Sequence, residues 1–385
     1  MPKTFIRTKH FWFLTGQTAV VNFFISGFGS AQSLLRADQG TSLKVAGLHG
    51  TALGLASITS GFLNSRIVHA LGRKKTVWLG LGIFSFGLTC LAIAPIVQLT
   101  ILSAYITGFG VSVTINNTTA STSEDFPRHR QVALNQSNAI GISVGGLGIL
   151  TVGLTASVFP DYWRLSLLIS LLIIPYLYFF VRDKEGEHHT PPEHGRQSGK
   201  VTAGFLASVF AFFLSIACEF GISFWSAALL SDRVGSSAAL STLAVVTFVS
   251  GIAVCRWFIA PIFHKVHIDD QLRFAFMFQG LSFGLFWLSH SMVLSLIALF
   301  GVGMGVAIQF PMFAVRVIAF SESRPDLAIG YNSLAAGSAI ALSPFMLGVL
   351  GDSFGISRAY LMIPVLILIA ITLITLFPSK HLDAK

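Results

Sequence analysis

The chain has 385 residues, 53% of them hydrophobic and only 11% charged, with a formal charge of +9 and a mean hydropathy of +0.74. Soluble domains carry about 25% charged residues, so this composition excludes a water-facing globular surface and points to a polytopic membrane protein. The positive balance calls for no nucleic-acid partner, because the basic residues are sorted by membrane side rather than gathered in one patch.

A spanning helix needs about 20 mostly apolar residues. Such stretches occur near residues 10–34, 45–67, 76–94, 97–121, 133–158, 164–182, 201–229, 236–262, 272–289, 291–319, 328–350 and 358–377. They predict twelve spans with both termini on one side. The first is long enough to span and lacks an A-x-A site, so no cleavable signal peptide is expected.

Residues three or four apart share a helix face. Span 1 puts Thr15, Thr18, Asn22, Ser26, Gly29 and Ser33 on one stripe and ends at Arg36 and Asp38, read as an interfacial pair or outer gate. Span 2 begins near His49, read as a packing histidine, and ends in "SGFLNSR". Span 4 aligns Gly110, Thr114, Asn117 and Ser121. Beyond it, Glu124 and Asp125 face the same side as Arg73, Lys74 and Lys75, which makes a gate between them plausible.

The long hydrophilic segment "RDKEGEHHTPPEHGRQSGK" (182–200) halves the protein and reads as a flexible linker. Its His188, His189 and His194 are taken as polar filler rather than a metal site. Span 7 contains "FFLSIACEFGISFW", in which Glu219 shares a stripe with Ser215, Ser223 and Ser226. Span 8 ends in "SGIAVCR", whose Arg256 lies about a turn inside the membrane face. Span 10 aligns Gly301, Gly305, Gln309 and Arg316, whereas span 12 has almost no polar stripe. Cys90, Cys218 and Cys255 sit in apolar runs and read as small buried hydrophobes.

Of the 25 lysines and arginines, 20 fall on the side of the termini; the other five are Arg36, Lys44, Arg164, Arg233 and Arg358. The positive-inside rule therefore places both termini in the cytoplasm, with a bacterial inner membrane as the expected location.

The halves echo each other. Ser60, Gly61 and Arg66 recur 190 residues on as Ser250, Gly251 and Arg256. "GFGV" at 108–111 recurs as "GMGV" at 303–306, and Ser143, Gly153 and Phe159 recur at the same offset of 195 as Ser338, Gly348 and Phe354. This is the signature of a duplicated six-span unit.

With these features the chain resembles the major facilitator superfamily. That family's turn between spans 2 and 3 reads Gly-x-x-x-Asp-Arg-x-Gly-Arg-Lys/Arg. Here "SRIVHALGRKKT" supplies Gly72, Arg73 and Lys74, with Ser65, His69 and Ala70 at the earlier positions. The turn-plus-helix starts "EDFPRHRQVALNQSNAIGISVGGLG" and "ESRPDLAIGYNSLAAGSAIALSP", and "DYWR" before span 6, are also similar to the family. The exporters' Gly-x-x-x-Gly-Pro is half matched by Gly141 and Gly145, with Gly146 in place of proline.

The resemblance implies an all-α membrane protein with twelve transmembrane helices in two pseudo-symmetric six-helix bundles, 1–182 and 201–385, joined by a cytoplasmic linker at 183–200. It further implies that spans 1, 4, 7 and 10 line a central cavity. On that basis Asn22, Ser26, Thr114, Asn117, Ser215, Ser223 and Gln309 are the candidate substrate-cavity residues. Arg73, Lys74, Glu124, Asp125, Arg256 and Arg316 form the candidate cytoplasmic gate. The plainer alternative for the small residues is close helix packing.

A charge at a helix centre costs roughly 2.5–3.5 kcal/mol on insertion scales. The cost falls on ionised Glu219, and a proton removes it. In a chamber that opens alternately to each side, that makes a proton carrier. A ligand for a cationic substrate, or a structural carboxylate, remain open readings.

Enzyme motifs such as G-x-x-x-x-G-K-[ST], H-E-x-x-H and C-x-x-C are absent. The expected function is secondary active transport of a small polar or amphiphilic organic solute by alternating access, through proton-coupled symport. The alternatives are a proton-linked exporter of drugs or metabolites, and a non-transporting sensor or assembly subunit on the same fold. No cofactor or metal is expected; the partners are the solute, protons and the bilayer, and the chain is expected to act as a monomer.

Overall fold

A computed structural model of the chain describes residues 5–181, 201–259, 266–321 and 324–379. The linker expected at 183–200 and its three histidines lie outside the described residues. The described residues are helical and contain no strand.

They form twelve rods, some built of two or three helical pieces. The first half comprises α1 (Lys9–Ser30, extended by Gln32–Gln39), α2 (Leu43–Leu71), α3 (Arg73–Ile93), α4 (Val97–Asp125), α5 (Arg130–Val158) and α6 (Trp163–Ser166, Ile169–Tyr176 and the π-helical turn Leu177–Val181). The second comprises α7 (Ala203–Val234), α8 (Ala238–Ala244, Val246–Val254 and the π-helical turn Cys255–Ile259) and α9 (Ile268–Leu288). It continues with α10 (Met292–Val306 and Gln309–Phe320), α11 (Pro325–Phe354) and α12 (Ile356–Ala359 and Met362–Leu376).

Ten rods are long and apolar enough to cross a bilayer. The other two, α2 and α9, have 29 and 21 residues but carry more polar side chains, among them His49, Asn64 and Arg66 in α2 and Asp269, Asp270 and Arg273 in α9. Helix α9 starts four residues before its predicted apolar stretch. His267 caps it, and two acids occupy its first turn, where carboxylates complement the helix dipole. Hydropathy alone places that boundary too late.

Between α2 and α3 the chain reverses through one residue. Gly72 has φ +76°, left-handed, and closes α2 by donating its N–H to the Val68 carbonyl. Only glycine adopts that conformation without strain, which is why the basic turn needs it.

The side where α1 begins and α12 ends is called the terminal side here, and the opposite face the far side. The two six-helix bundles meet on the far side and at mid-depth. There α2 lies along α11, α5 along α8, and α1 touches α7. Small residues make these seams. A Cβ on Gly54 would come within 2.3 Å of the Ala341 nitrogen, and one on Gly29 within 3.3 Å of Ser223 Oγ. Gly153 rests on Leu243. Without a hydrophobic drive between helices in lipid, such close backbone approach supplies much of the attraction.

The seam then parts. Gly54, Ile58 and Gly61 share one stripe of α2, and Gly330, Gly337 and Ala341 share one of α11. Gly54 and Ile58 touch α11 at Gly337, but a Cβ on Gly61 or Gly330 would meet none of the described residues within 4 Å. Helices α2 and α11 therefore diverge toward the terminal side, while α5 stays in contact with the π-helical turn of α8. On that side a link does cross: Arg7 donates to Gln136 of α5 at 2.9 Å, and its guanidinium lies 5.8 Å from the Trp257 ring of α8.

Candidate functional site

The site is assembled where α7, α8 and α10 come together at mid-depth. Glu219 stands at the middle of the 32-residue α7 and is half-buried. Among the described residues nothing hydrogen-bonds its carboxyl, and the cation that acts on it is Arg256 of α8, through space and without a direct ion pair. No residue near Glu219 in sequence can neutralise it. The fold brings the charge in from another helix.

Backbone irregularities hold Arg256 in place. It lies in the π-helical turn Cys255–Ile259, where the wider turn re-aims the side chain relative to the preceding α-helical stripe. Across from it, α10 breaks at Ala307 and Ile308. Proline has no N–H to give the carbonyl four residues earlier, so Pro311 leaves the Ala307 carbonyl without its helical donor. Arg256 Nε donates to that oxygen at 2.8 Å. Irregular backbone at membrane depth persists only where its polar groups are met or line a cavity, and here a cationic side chain meets one.

Immediately beyond the break, Gln309 Oε1 accepts from Ser215 Oγ at 2.7 Å, and its Nε2 donates to Gln279 Oε1 at 2.7 Å and to the Gly305 carbonyl at 3.0 Å. Ser215 lies one turn from Glu219. The Ser215–Gln309–Gln279 chain thus fixes α7 against α10 and α9 beside the acid. Phe220 and Phe224 stand next to it, with ring centroids 6.2 Å apart.

The other cavity candidates divide by exposure. Ser215, Gln309, Thr114 and Asn117 are buried, with partners inside their own bundles; Asn117 donates to Asn64 at 2.7 Å, and Thr114 to the Gly110 carbonyl at 2.8 Å. Asn22, Ser26 and Ser223 are half-buried. Asn22 packs on Gly141 and Ser26 on Gly145, at the α1–α5 contact, while Ser223 faces Gly29 across the bundle seam.

The residues grouped as a cytoplasmic gate do not form one cluster. Arg73 pairs with Glu124 at 3.0 Å and Asp125 with His10 at 2.7 Å, both within the first bundle; Lys74 is half-buried next to Arg73. Arg316 is enclosed in the second bundle, ion-paired with Asp269 at 2.8 Å and donating to Ser208 Oγ and the Phe377 carbonyl. Its role there is to tie α7, α9, α10 and the end of α12 together. Arg256 faces Glu219. Arg36 and Asp38 do not pair with each other, because helix positions two apart point in different directions. Arg36 donates to the Thr41 carbonyl at 3.3 Å, and Asp38 accepts from Trp163 at 2.7 Å and Arg164 at 3.2 Å.

The far-side closure has a component that the sequence reading missed. Asp352, at the end of α11, accepts the backbone N–H of Leu43 at 2.9 Å and of Lys44 at 2.8 Å, the first amides of α2. A helix start leaves such amides without intrahelical partners and carries partial positive charge. Here a carboxylate from the opposite bundle takes both. Thr51 adds a bond to the Ala341 carbonyl at 2.8 Å, in the turn before Pro344.

Three comparisons place this arrangement. The sequence profile of the Major Facilitator Superfamily matches residues 14–320. No curated protein sequence gives a significant match. Among solved structures, the chain is similar to the human organic anion transporter MFSD10 (TETRAN), with 16% identity, TM-score 0.68, and coverage of 95% of this chain and 98% of that one. It is also similar to the nucleoside transporter NupG, with 13% identity, TM-score 0.73, and coverage of 96% and 98%. At these identities the structural likeness speaks for the fold.

Proposed function

The chain belongs to the major facilitator superfamily, and from that premise we propose that it carries a small polar or amphiphilic organic solute by alternating access, in symport with protons. The family and the two transporter neighbours support transport. The observation that carries the finer reading is Glu219, a half-buried carboxylate at the middle of α7 with no hydrogen-bond partner among the described residues. Desolvation penalises its charge, so crossing is favoured with a proton aboard, and water on either side supplies or accepts that proton.

With both termini in the cytoplasm, as the basic bias prescribes, the parting of α2 and α11 falls on the cytoplasmic side and their close seam on the outer side, which supports an inward-facing conformation. Asp352 and the α2–α11 glycines hold that seam shut; opening the far side requires breaking the Asp352 bonds and closing the terminal side around Gly61 and Gly330. The protein acts as a monomer in a bacterial inner membrane on this reading. NupG is a nucleoside transporter and MFSD10 an organic anion transporter, and both solute classes carry polar groups that a carboxylate and a guanidinium bind.

Uptake into proteoliposomes, with an imposed pH gradient and a panel of labelled nucleosides and organic anions, tests the reading. Wild type should concentrate at least one panel member in the direction of proton flow, and Glu219→Gln should lose concentration but keep equilibration. Accumulation that ignores both gradient and substitution would remove proton coupling. Proton-driven efflux in place of uptake would select the exporter.

A further inference from the structure

Resting on the transport reading, we propose that the solute is an organic anion whose carboxylate or equivalent binds Arg256, and that its arrival hands Glu219 a proton, so that anion and proton bind as a neutral pair.

The geometry of Arg256 carries this. Its Nε is bound to a neutral acceptor, the Ala307 carbonyl, at 2.8 Å. None of its hydrogen bonds or ion pairs to the described residues goes to a carboxylate. The guanidinium is thus anchored at one edge with its charge unneutralised by contact. A planar fork held in that way suits a bidentate anion. Glu219 compensates it only through space.

Charge bookkeeping at this depth favours one solute class. The pair Glu219 and Arg256 is neutral when both are ionised. An anion alone would leave the chamber at one net negative charge, and Glu219 removes it by binding one proton from terminal-side water. A cation would leave one net positive charge with no further acid at this depth, among the described residues, to offset it. A second cation reaches the same turn: the Arg7 guanidinium lies 5.8 Å from the Trp257 ring, next to Arg256 in sequence. Beside Arg256 lies the Cys255 thiol, and α10 presents Gln309, bound to Ser215 one turn from Glu219. Ser343 of α11 and the Ile363 carbonyl of α12 meet α7 nearby. Of the charged groups on α10 and α9, Arg316 and Asp269 are enclosed with each other and Arg273 pairs with Asp270 at 2.7 Å. An unpaired charge in such a place is expensive.

The test is calorimetric titration of the purified full chain, in two buffers of different ionisation enthalpy. The probes are a series of monocarboxylates from acetate to 2-naphthoate, with the matching amines and amides. At least one carboxylate should bind wild type with uptake of about one proton, and its amine should not. Arg256→Gln should weaken that carboxylate at least tenfold and Arg256→Lys restore it, both variants keeping the wild-type melting temperature. Carboxylate binding by Glu219→Gln should no longer carry a proton. The proposal is overturned if no carboxylate binds, if an amine binds better, if Arg256→Gln binds as wild type does, or if Glu219→Gln still takes up the proton. Binding needs no translocation: a chain that binds carboxylates with a proton but moves nothing would refute transport and leave this site standing. Proton-driven transport of a nucleoside with no carboxylate binding would do the reverse.

Discussion

Removing the Asp352 carboxylate should loosen the far side by a calculable amount. Its two oxygens accept the Leu43 and Lys44 amides at 2.9 and 2.8 Å, bonds that exist only while α2 and α11 are together. Hydrogen bonds to a charged group contribute about 1.5–3 kcal/mol each when buried. Asp352 is exposed, and water replaces much of that on opening, so about 1 kcal/mol per bond is a fair figure. Asp352→Ala then shifts the closed-to-open ratio by about 2 kcal/mol, close to thirtyfold. A wild-type ratio of about 100:1 would fall to about 3:1 by the same arithmetic. Spin labels at positions 96 and 293, in the far-side turn after α3 and in the first turn of α10, in a cysteine-free background, would report it by pulsed electron resonance. The variant should show a second, longer distance in about a quarter of molecules, and Asp352→Asn should fall between. An unchanged distance distribution in a well-folded Asp352→Ala protein would refute the latch.

Further outcomes follow from neighbouring contacts. Gly54→Ala places a Cβ 2.3 Å from the Ala341 nitrogen and should force the far-side seam open, whereas Gly61→Ala, whose Cβ would meet none of the described residues within 4 Å, should leave the distances unchanged; the same labels compare them. Arg316→Met strands Asp269 in the core and should cost about 3–5 kcal/mol, read as a large drop in melting temperature, most of which Asp269→Leu in the same chain should recover. Pro311→Ala returns an N–H to the Ala307 carbonyl and competes with Arg256 for it. Melting temperature should hold or rise while solute uptake falls, and a variant with full uptake would show that the α10 break has no part in the site.

Much of the architecture is legible because the bilayer imposes it. Span lengths, the basic bias and the offsets of 190 and 195 all follow from what a duplicated bundle must present to lipid and water. Glu219 stands out for the same reason, as an acid in an apolar run. Its environment was less visible. Span 10 reads as one continuous apolar stretch, and only Pro311 signals that a carbonyl four residues back is freed. Arg256, placed near the membrane face by counting along a regular helix, is redirected by a π-helical turn that periodicity does not register. Arg316 reads as a gate residue until its partner Asp269 appears, from a helix whose start hydropathy sets too late. Asp352 looks like a solvated acid past the end of span 11, because its partners are backbone amides 308 and 309 residues away. Backbone donors leave no mark in a sequence.

The account rests on Glu219 facing water from one side at a time. Glu219→Cys, in a background lacking Cys90, Cys218 and Cys255, can be probed with a membrane-impermeant thiol reagent in vesicles of each orientation. The reagent should label it from the terminal side alone, and adding Asp352→Ala should open labelling from the far side. A thiol that reacts from neither side, or from both with Asp352 intact, would contradict the account.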